Sequence, residues 1–294
     1  MEQLLQQVIN GISLGSIYAL IALGYTMVYG IINLINFAHG EIYMIGAYVG
    51  FALTTFLGLG FLPSLFISMA ACAVLGIVIE KLAYKPIRNS SRIAALITAI
   101  SVSLFLQYIM VYFVKPDTRT FPNIIANKKI TFFNGNVVMD VKNIYIIAIT
   151  IVLMLVLQYV IYKTKVGKAM RAVALDKDAA KLMGVNVNRI ISYTFAIGSA
   201  LAGAAGVLVG VYYNTINPLM GVVPGLKAFV AAVIGGIGII PGAVFGGIFL
   251  GMTETIVSAY GGSVFKDAVA FTILIIVLLL RPNGLLGKNT KEKV

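Results

Sequence analysis

The side chains best suited to chemistry fall between Gly30 and Glu41, where Asn33, Asn36, the single histidine His39 and the acid Glu41 lie close together. Two amides, an imidazole and a carboxylate could bind a polar solute, gate its passage or pass a proton. If the segment is helical, Asn33, Asn36 and Gly40 share one face by i, i+3, i+7 spacing. Polar groups in an apolar segment are costly and by default mark a pathway or a gate. The competing role is structural: the amides tie neighbouring helices together or cap a half-helix beginning near His39. Glu41 is served as well by the dipole of a helix N-terminus as by contact with a substrate.

Hydrolytic chemistry finds little support. Gly11-Ile12-Ser13-Leu14-Gly15 matches G-x-S-x-G and His39 could act as a base, but the nucleophile elbow needs a strand–turn–helix context that an apolar helical run does not supply. Ser13 reads more simply as a small packing residue. The sequence contains no H-E-x-x-H and no Cys/His metal set, and no G-x-x-x-x-G-K-[ST], so metal-dependent hydrolysis and ATP hydrolysis are not expected of it. No catalytic, cofactor-binding or metal residue is assigned.

A second group lies between Lys163 and Arg189, where seven Lys/Arg (Lys163, Lys165, Lys168, Arg171, Lys177, Lys181, Arg189) face two acids, Asp176 and Asp178. Ala179, Leu182 and Met183 share a helical face, Lys177 and Lys181 another, and Gly184 suits a helix C-cap. The pattern fits a basic amphipathic helix on anionic lipid or a helix that docks into another protein.

The elements that carry these groups are membrane spans. Hydrophobic residues make up 60% and charged residues 11% of the 294 positions, with a mean hydropathy of +0.98, against about 25% charged in soluble domains. Apolar runs at 8–29, 31–57, 61–80, 93–114, 143–162, 190–213 and 267–280 mostly approach the roughly 20 residues a helix needs to cross a bilayer. They are continuous rather than alternating, so an all-α, polytopic helical bundle is expected, not a barrel. Met1-Glu2-Gln3-Leu4 lacks the basic start of a signal peptide, so the first run is expected to stay attached. The net charge of +12 is explained by loop topology, not nucleic acid. Cys72 has no cysteine to pair with.

Basic clusters at Lys81–Arg92, 163–189 and Arg281–Lys293 place those loops in the cytoplasm and the N-terminus outside. The loop 115–142, external by that count, carries five basic residues of its own. Parity then requires 226–256 to enter and leave on one side. That stretch is interrupted by Gly235-Gly236-Ile237-Gly238-Ile239-Ile240-Pro241-Gly242, leaving arms of about nine and about fifteen residues, too short to span. A re-entrant or broken segment results, giving about eight spans in all. Broken backbone at membrane depth is tolerated where protein buries it or water reaches it, so Gly235, Gly236 and Pro241 join Asn33, Asn36, His39 and Glu41 as candidates for the path or gate.

Asp178-Ala179-Ala180-Lys181-Leu182-Met183-Gly184 resembles the E-A-A-x3-G signature of ABC-importer permeases, with Asp for Glu and without the downstream I-x-L-P. Leu34-Ile35-Asn36-Phe37-Ala38-His39-Gly40-Glu41, Gly225-Leu226-Lys227-Ala228-Phe229, Gly235-Gly236-Ile237-Gly238, Pro241-Gly242-Ala243 and Arg281-Pro282-Asn283-Gly284-Leu285-Leu286-Gly287 extend the similarity over nearly the whole chain. It resembles the Liv-type (LivH) permeases of bacterial branched-chain amino-acid ABC importers.

The resemblance implies a single transmembrane permease domain over 1–294 in the bacterial inner membrane. It also implies a second homologous permease, two cytoplasmic ATPases holding ATP and magnesium, and an external amino-acid-binding protein. Arg171, Asp178, Ala179, Ala180, Leu182, Met183 and Gly184 would couple to the ATPases through a helix at 169–184. Ridges of small residues, Gly11 with Gly15, Gly46 with Gly50, Gly198 to Gly210 and Gly247 with Gly251, would tighten the bundle and meet the second permease. An ATP-independent secondary carrier and an ABC permease for other neutral amino acids, amides or urea remain the alternatives.

Overall fold

The structure is a computed structural model and describes residues 2–32, 34–88, 90–125, 128–132 and 137–287. The long apolar runs fold as helices because only an internally hydrogen-bonded backbone is stable in hydrocarbon. Seven of them among the described residues are long and apolar enough to cross a membrane: Glu2–Ile32, Phe61–Ile87, Ile93–Val114, Val141–Lys163, Val187–Tyr213, Ile240–Tyr260 and Ser263–Leu280. The chain is a polytopic helical membrane protein.

Helix α1 (Glu2–Ile32) is the axis of the bundle. Against it pack α2 (His39–Phe56), α9 (Val187–Tyr213), α10 (Val222–Gly235) and α11 (Ile240–Tyr260), while α3 (Phe61–Ile79) packs on α2 and α9. A π turn (Glu80–Tyr84) and the short α4 (Lys85–Ile87) extend α3, while α5 (Arg92–Val114), α6 (Val141–Lys163) and α12 (Lys266–Leu280) lie outside and leave most of their apolar faces uncovered. The central position of α1 depends on glycine. A Cβ on Gly15 would lie 2.6 Å from the Cα of Ile248, and one on Gly251 2.3 Å from the Cα of Gly15, so the two backbones touch. Gly46 meets Gly203, and Gly206 meets Tyr43 and Ala47, in the same way. The small-residue ridges are therefore spent on contacts within the chain rather than held for a second copy.

Two ends can be distinguished. At the hairpin end, β2 (Lys129–Phe132) pairs with β3 (Val137–Asp140), β1 (Arg119–Thr120) pairs with β4 (Thr215–Ile216), and the Val138 N–H donates to Gln6 Oε1 at 2.8 Å. At the short-helix end lie α7 (Lys165–Leu175) and α8 (Lys177–Leu182), with the buried Glu80 bonded to Arg88 and accepting from Ser192 Oγ at 2.7 Å.

Three expectations are corrected. The run 31–57 is not one span: α2 has 18 residues and starts at His39 after an irregular stretch, so Asn36 is not on a helical face. Asn33 lies outside the described residues. The segment 169–184 is two helices, because Asp176 turns extended (φ −156°, ψ 115°) and starts α8 anew. The break in 226–256 falls at Gly236–Ile239, but the arms are 14 and 21 residues, and the second is long enough to cross. Among the described residues there are seven candidate spans, with α10 a shorter apolar helix beside them.

Candidate translocation and coupling sites

The irregular residues 34–38 are held inside the bundle, where Asn36 is 2% and His39 1% exposed. Unpaired backbone would be costly there, and local bonds begin α2: the His39 N–H donates to the Asn36 carbonyl at 3.0 Å and the Glu41 N–H to Ala38 at 3.1 Å. Asn36 Oδ1 accepts from the Tyr84 hydroxyl at 2.9 Å. The His39 ring lies against Gly24, where a Cβ would come within 2.2 Å of Nε2, and meets the Tyr25 ring edge-on with centroids 4.8 Å apart. Glycine at position 24 thus makes room for the imidazole.

The first turn of α2 abuts the first turn of α10. A Cβ on Gly40 would lie 2.4 Å from the Gly221 carbonyl oxygen and 3.0 Å from the Gly225 Cα. Beside this contact a cavity of about 340 Å³ opens towards α5, lined by Tyr25, Phe37, Glu41, Ser103, Leu104 and Leu226 among others. Phe229 packs against both Tyr25 and Phe37, with centroids 5.9 and 6.0 Å apart. The walls are apolar, and Glu41 is the one ionisable carboxyl among the lining residues.

Gly235, Gly236 and Pro241 are not brought to this cavity. Gly235 faces Gly242 across the α10–α11 hairpin, and Pro241 occupies the first turn of α11. The tip takes positive φ at Gly236 (109°) and Gly238 (91°), which glycine alone adopts readily. A second cavity, of about 590 Å³, opens there between Tyr29, Tyr162, Gly238 and Asn283. The candidate path residues thus divide between two places, one within the bundle and one at the short-helix end.

The α10 C-terminus is completed by the segment after α12. The Leu285 N–H donates to the Ile234 carbonyl at 2.8 Å and the Leu286 N–H to Gly235 at 3.2 Å, which satisfies carbonyls that a helix end leaves open. The R-P-N-G-L-L-G stretch was visible in the sequence, but nothing local in it shows that it caps a helix some fifty positions earlier.

A cluster of ions, with Lys227 and Glu254 buried and Asp267 partly exposed, was also missed. Lys227 on α10, 2% exposed, lies 2.8 Å from Glu254 Oε1 on α11 and 2.6 Å from Asp267 on α12, and the Tyr18 hydroxyl of α1 donates to Glu254 Oε2 at 2.8 Å. Lysine and acid at positions so far apart in sequence carry no periodic signal.

On α7 and α8 one set of apolar side chains turns outward, while Met170 and Val173 are buried. Leu175 and Leu182 are each 89% exposed and Met183 83%, and Ala179 is exposed beside them, while Ala180 is buried. Asp176 caps α8, accepting from the N–H groups of Asp178 (2.8 Å) and Ala179 (3.0 Å), which hold its carboxyl below the usual aspartate range. Asp178 pairs with Lys181 in solvent. Gly184 has φ +81°, which glycine adopts readily, and open space around it. Arg171 points elsewhere, with its guanidinium 5.3 Å from the Tyr162 ring centroid.

A family model described as branched-chain amino acid transport system / permease component matches residues 7–278. This chain belongs to that family. The permease is 44% identical over 301 residues to the high-affinity branched-chain amino acid transport permease BraD of Pseudomonas aeruginosa, covering 99% of this chain and 98% of the relative. It is 45% identical over 300 residues to the corresponding LivH of Escherichia coli K12, covering 99% and 97%. Its fold is similar to PsaBC from Streptococcus pneumoniae, solved with a Fab, at a TM-score of 0.50 and 14% identity, covering 93% of this chain and 91% of that one. At that identity the likeness concerns fold alone.

Proposed function

We propose that this permease is the membrane subunit of an ATP-driven importer that carries branched-chain amino acids into the cytoplasm by alternating access. The single observation that carries this reading is the exposed apolar face of Leu175, Ala179, Leu182 and Met183, presented by two short capped helices in a basic segment. Such a face fits a groove in a partner, and the sequence has no phosphate-binding loop of its own. On this reading the short-helix end is cytoplasmic, the N-terminus is outside, and two separate ATPases hold ATP and magnesium. A second permease completes the path, and an external binding protein delivers the solute. Closure of the ATPases would push α7 and α8 and shift the bundle between outward and inward openings. No covalent step is required of the permease.

The test is co-expression with the ATPase subunits, purification, and uptake into vesicles. Ala179→Arg should abolish co-elution and uptake while the chain still inserts; normal co-elution and uptake would refute the docking role. A secondary carrier is the second reading, favoured by the buried Lys227–Glu254 pair, since such carriers need embedded charge. Its mark is uptake by the permease without any ATPase. Competition among leucine, other neutral amino acids, amides and urea decides the substrate range.

A further inference from the structure

We propose that Glu41 and the first turn of α10 form a two-pole station for a zwitterionic amino acid within the 340 Å³ cavity. The proposal rests on the importer reading above and assigns its substrate contact.

Glu41 is 1% exposed, yet its Oε2 has no hydrogen-bond partner, and no Lys or Arg lines the cavity. The Ser103 hydroxyl of α5 stands beside the carboxyl, and no basic side chain balances it. A buried carboxylate in that condition is costly unless a cation or several donors meet it. A primary ammonium supplies both, with three N–H donors and a positive charge.

The opposite pole is the N-terminus of α10. Gly221 is its N-cap and no side chain caps it. The first N–H groups of a helix have no acceptor within it, and those of a 14-residue helix carry partial positive charge. Pro224 has no N–H, so the donor that this helix start offers at the cavity wall is the N–H of Val222. Gly221 and Val222 both line the cavity.

Spacing joins the two poles. A Cβ on Gly221 would lie 2.6 Å from Glu41 Oε2, so only a glycine lets the carboxylate approach the α10 N-terminus this closely. The ammonium and carboxylate of an amino acid hang from one carbon and need an acceptor and a donor side by side. Beyond them Tyr25, Phe37, Ile100, Leu104 and Leu226 offer an apolar wall to an aliphatic side chain. With one carboxylate and one backbone donor the station holds its ligand weakly enough to release it.

The experiment uses the full chain in its assembled complex, with Gln107→Cys placed on the cavity wall in a Cys72→Ala background. The rate of maleimide labelling at position 107 is measured with L-leucine, with 3-methylbutylamine (leucine without its carboxylate) and with 4-methylpentanoate (leucine without its amine). L-leucine should protect, and each truncated probe should need a concentration higher by about tenfold or more, the worth of one charge-assisted hydrogen bond. Glu41→Gln should remove protection by L-leucine without changing the unprotected labelling rate, and Glu41→Asp should keep part of it, which separates recognition from misfolding. Absence of protection by L-leucine, equal protection by 4-methylpentanoate, or full protection in Glu41→Gln would each overturn the station. ATP-driven uptake in vesicles is read in parallel. Uptake without protection sinks the station and leaves the importer reading intact, whereas protection without ATP-driven uptake does the reverse.

Discussion

The Tyr84 hydroxyl donates to Asn36 Oδ1 at 2.9 Å, joining the irregular start of α2 to the π turn that prolongs α3. Both residues are 2% exposed. A π turn rotates the residues after it relative to a regular helix, and here it carries a phenol inward to meet the amide. Asn36 thus bridges two elements of the bundle.

From that bond follows a double-mutant cycle. Tyr84→Phe and Asn36→Ala should each lower the thermal stability of the purified permease by on the order of 1 kcal/mol, and the double variant by less than their sum. Full additivity in thermal unfolding would mean the bond contributes nothing. Transport per assembled complex should change little in Tyr84→Phe.

The cluster at the hairpin end predicts a larger effect. Lys227→Met leaves Glu254 buried beside Tyr18 without its nearest cation and should destabilise the bundle by about 3–5 kcal/mol, as breaking a buried pair does. Adding Glu254→Gln to Lys227→Met should recover part of that loss. Thermal unfolding in detergent reads both, and a stable single variant would show that the cluster is dispensable.

Topology gives a third expectation. Lys227 is too buried for a labelling probe, so the start of the α10–α11 hairpin is better reported by Leu219, 49% exposed, and its far end by Tyr260, 59% exposed. Cysteines at these two positions, in a Cys72→Ala background, should both react with an impermeant reagent applied from outside. Reaction of one from outside and the other from inside would remove the hairpin and the assigned orientation.

The sequence revealed the spans well, because a run of apolar residues has one stable solution in lipid. It also showed that 226–256 is broken, since glycine and proline end helices through local backbone chemistry. Helical periodicity misled at 31–57, where i, i+3, i+7 spacing sets Asn33, Asn36 and Gly40 on one face of a continuous helix but α2 begins only at His39. The same limit applies to Asp176, whose side chain ends one short helix by capping the next. Pairings across the fold were not legible at all. Lys227 with Asp267, Tyr84 with Asn36, and Gly221 with Glu41 depend on which helices become neighbours, and no spacing along the chain encodes that.

The bonds from Leu285 and Leu286 to the end of α10 have a consequence for biogenesis. A ribosome delivers the α10–α11 hairpin well before it delivers the residues that complete it. Until 285 and 286 leave the exit tunnel, the Ile234 and Gly235 carbonyls must be solvated by water at the membrane surface or held by an insertion factor. Insertion of the α10–α11 hairpin and completion of the α10 C-terminus are therefore separate events in time.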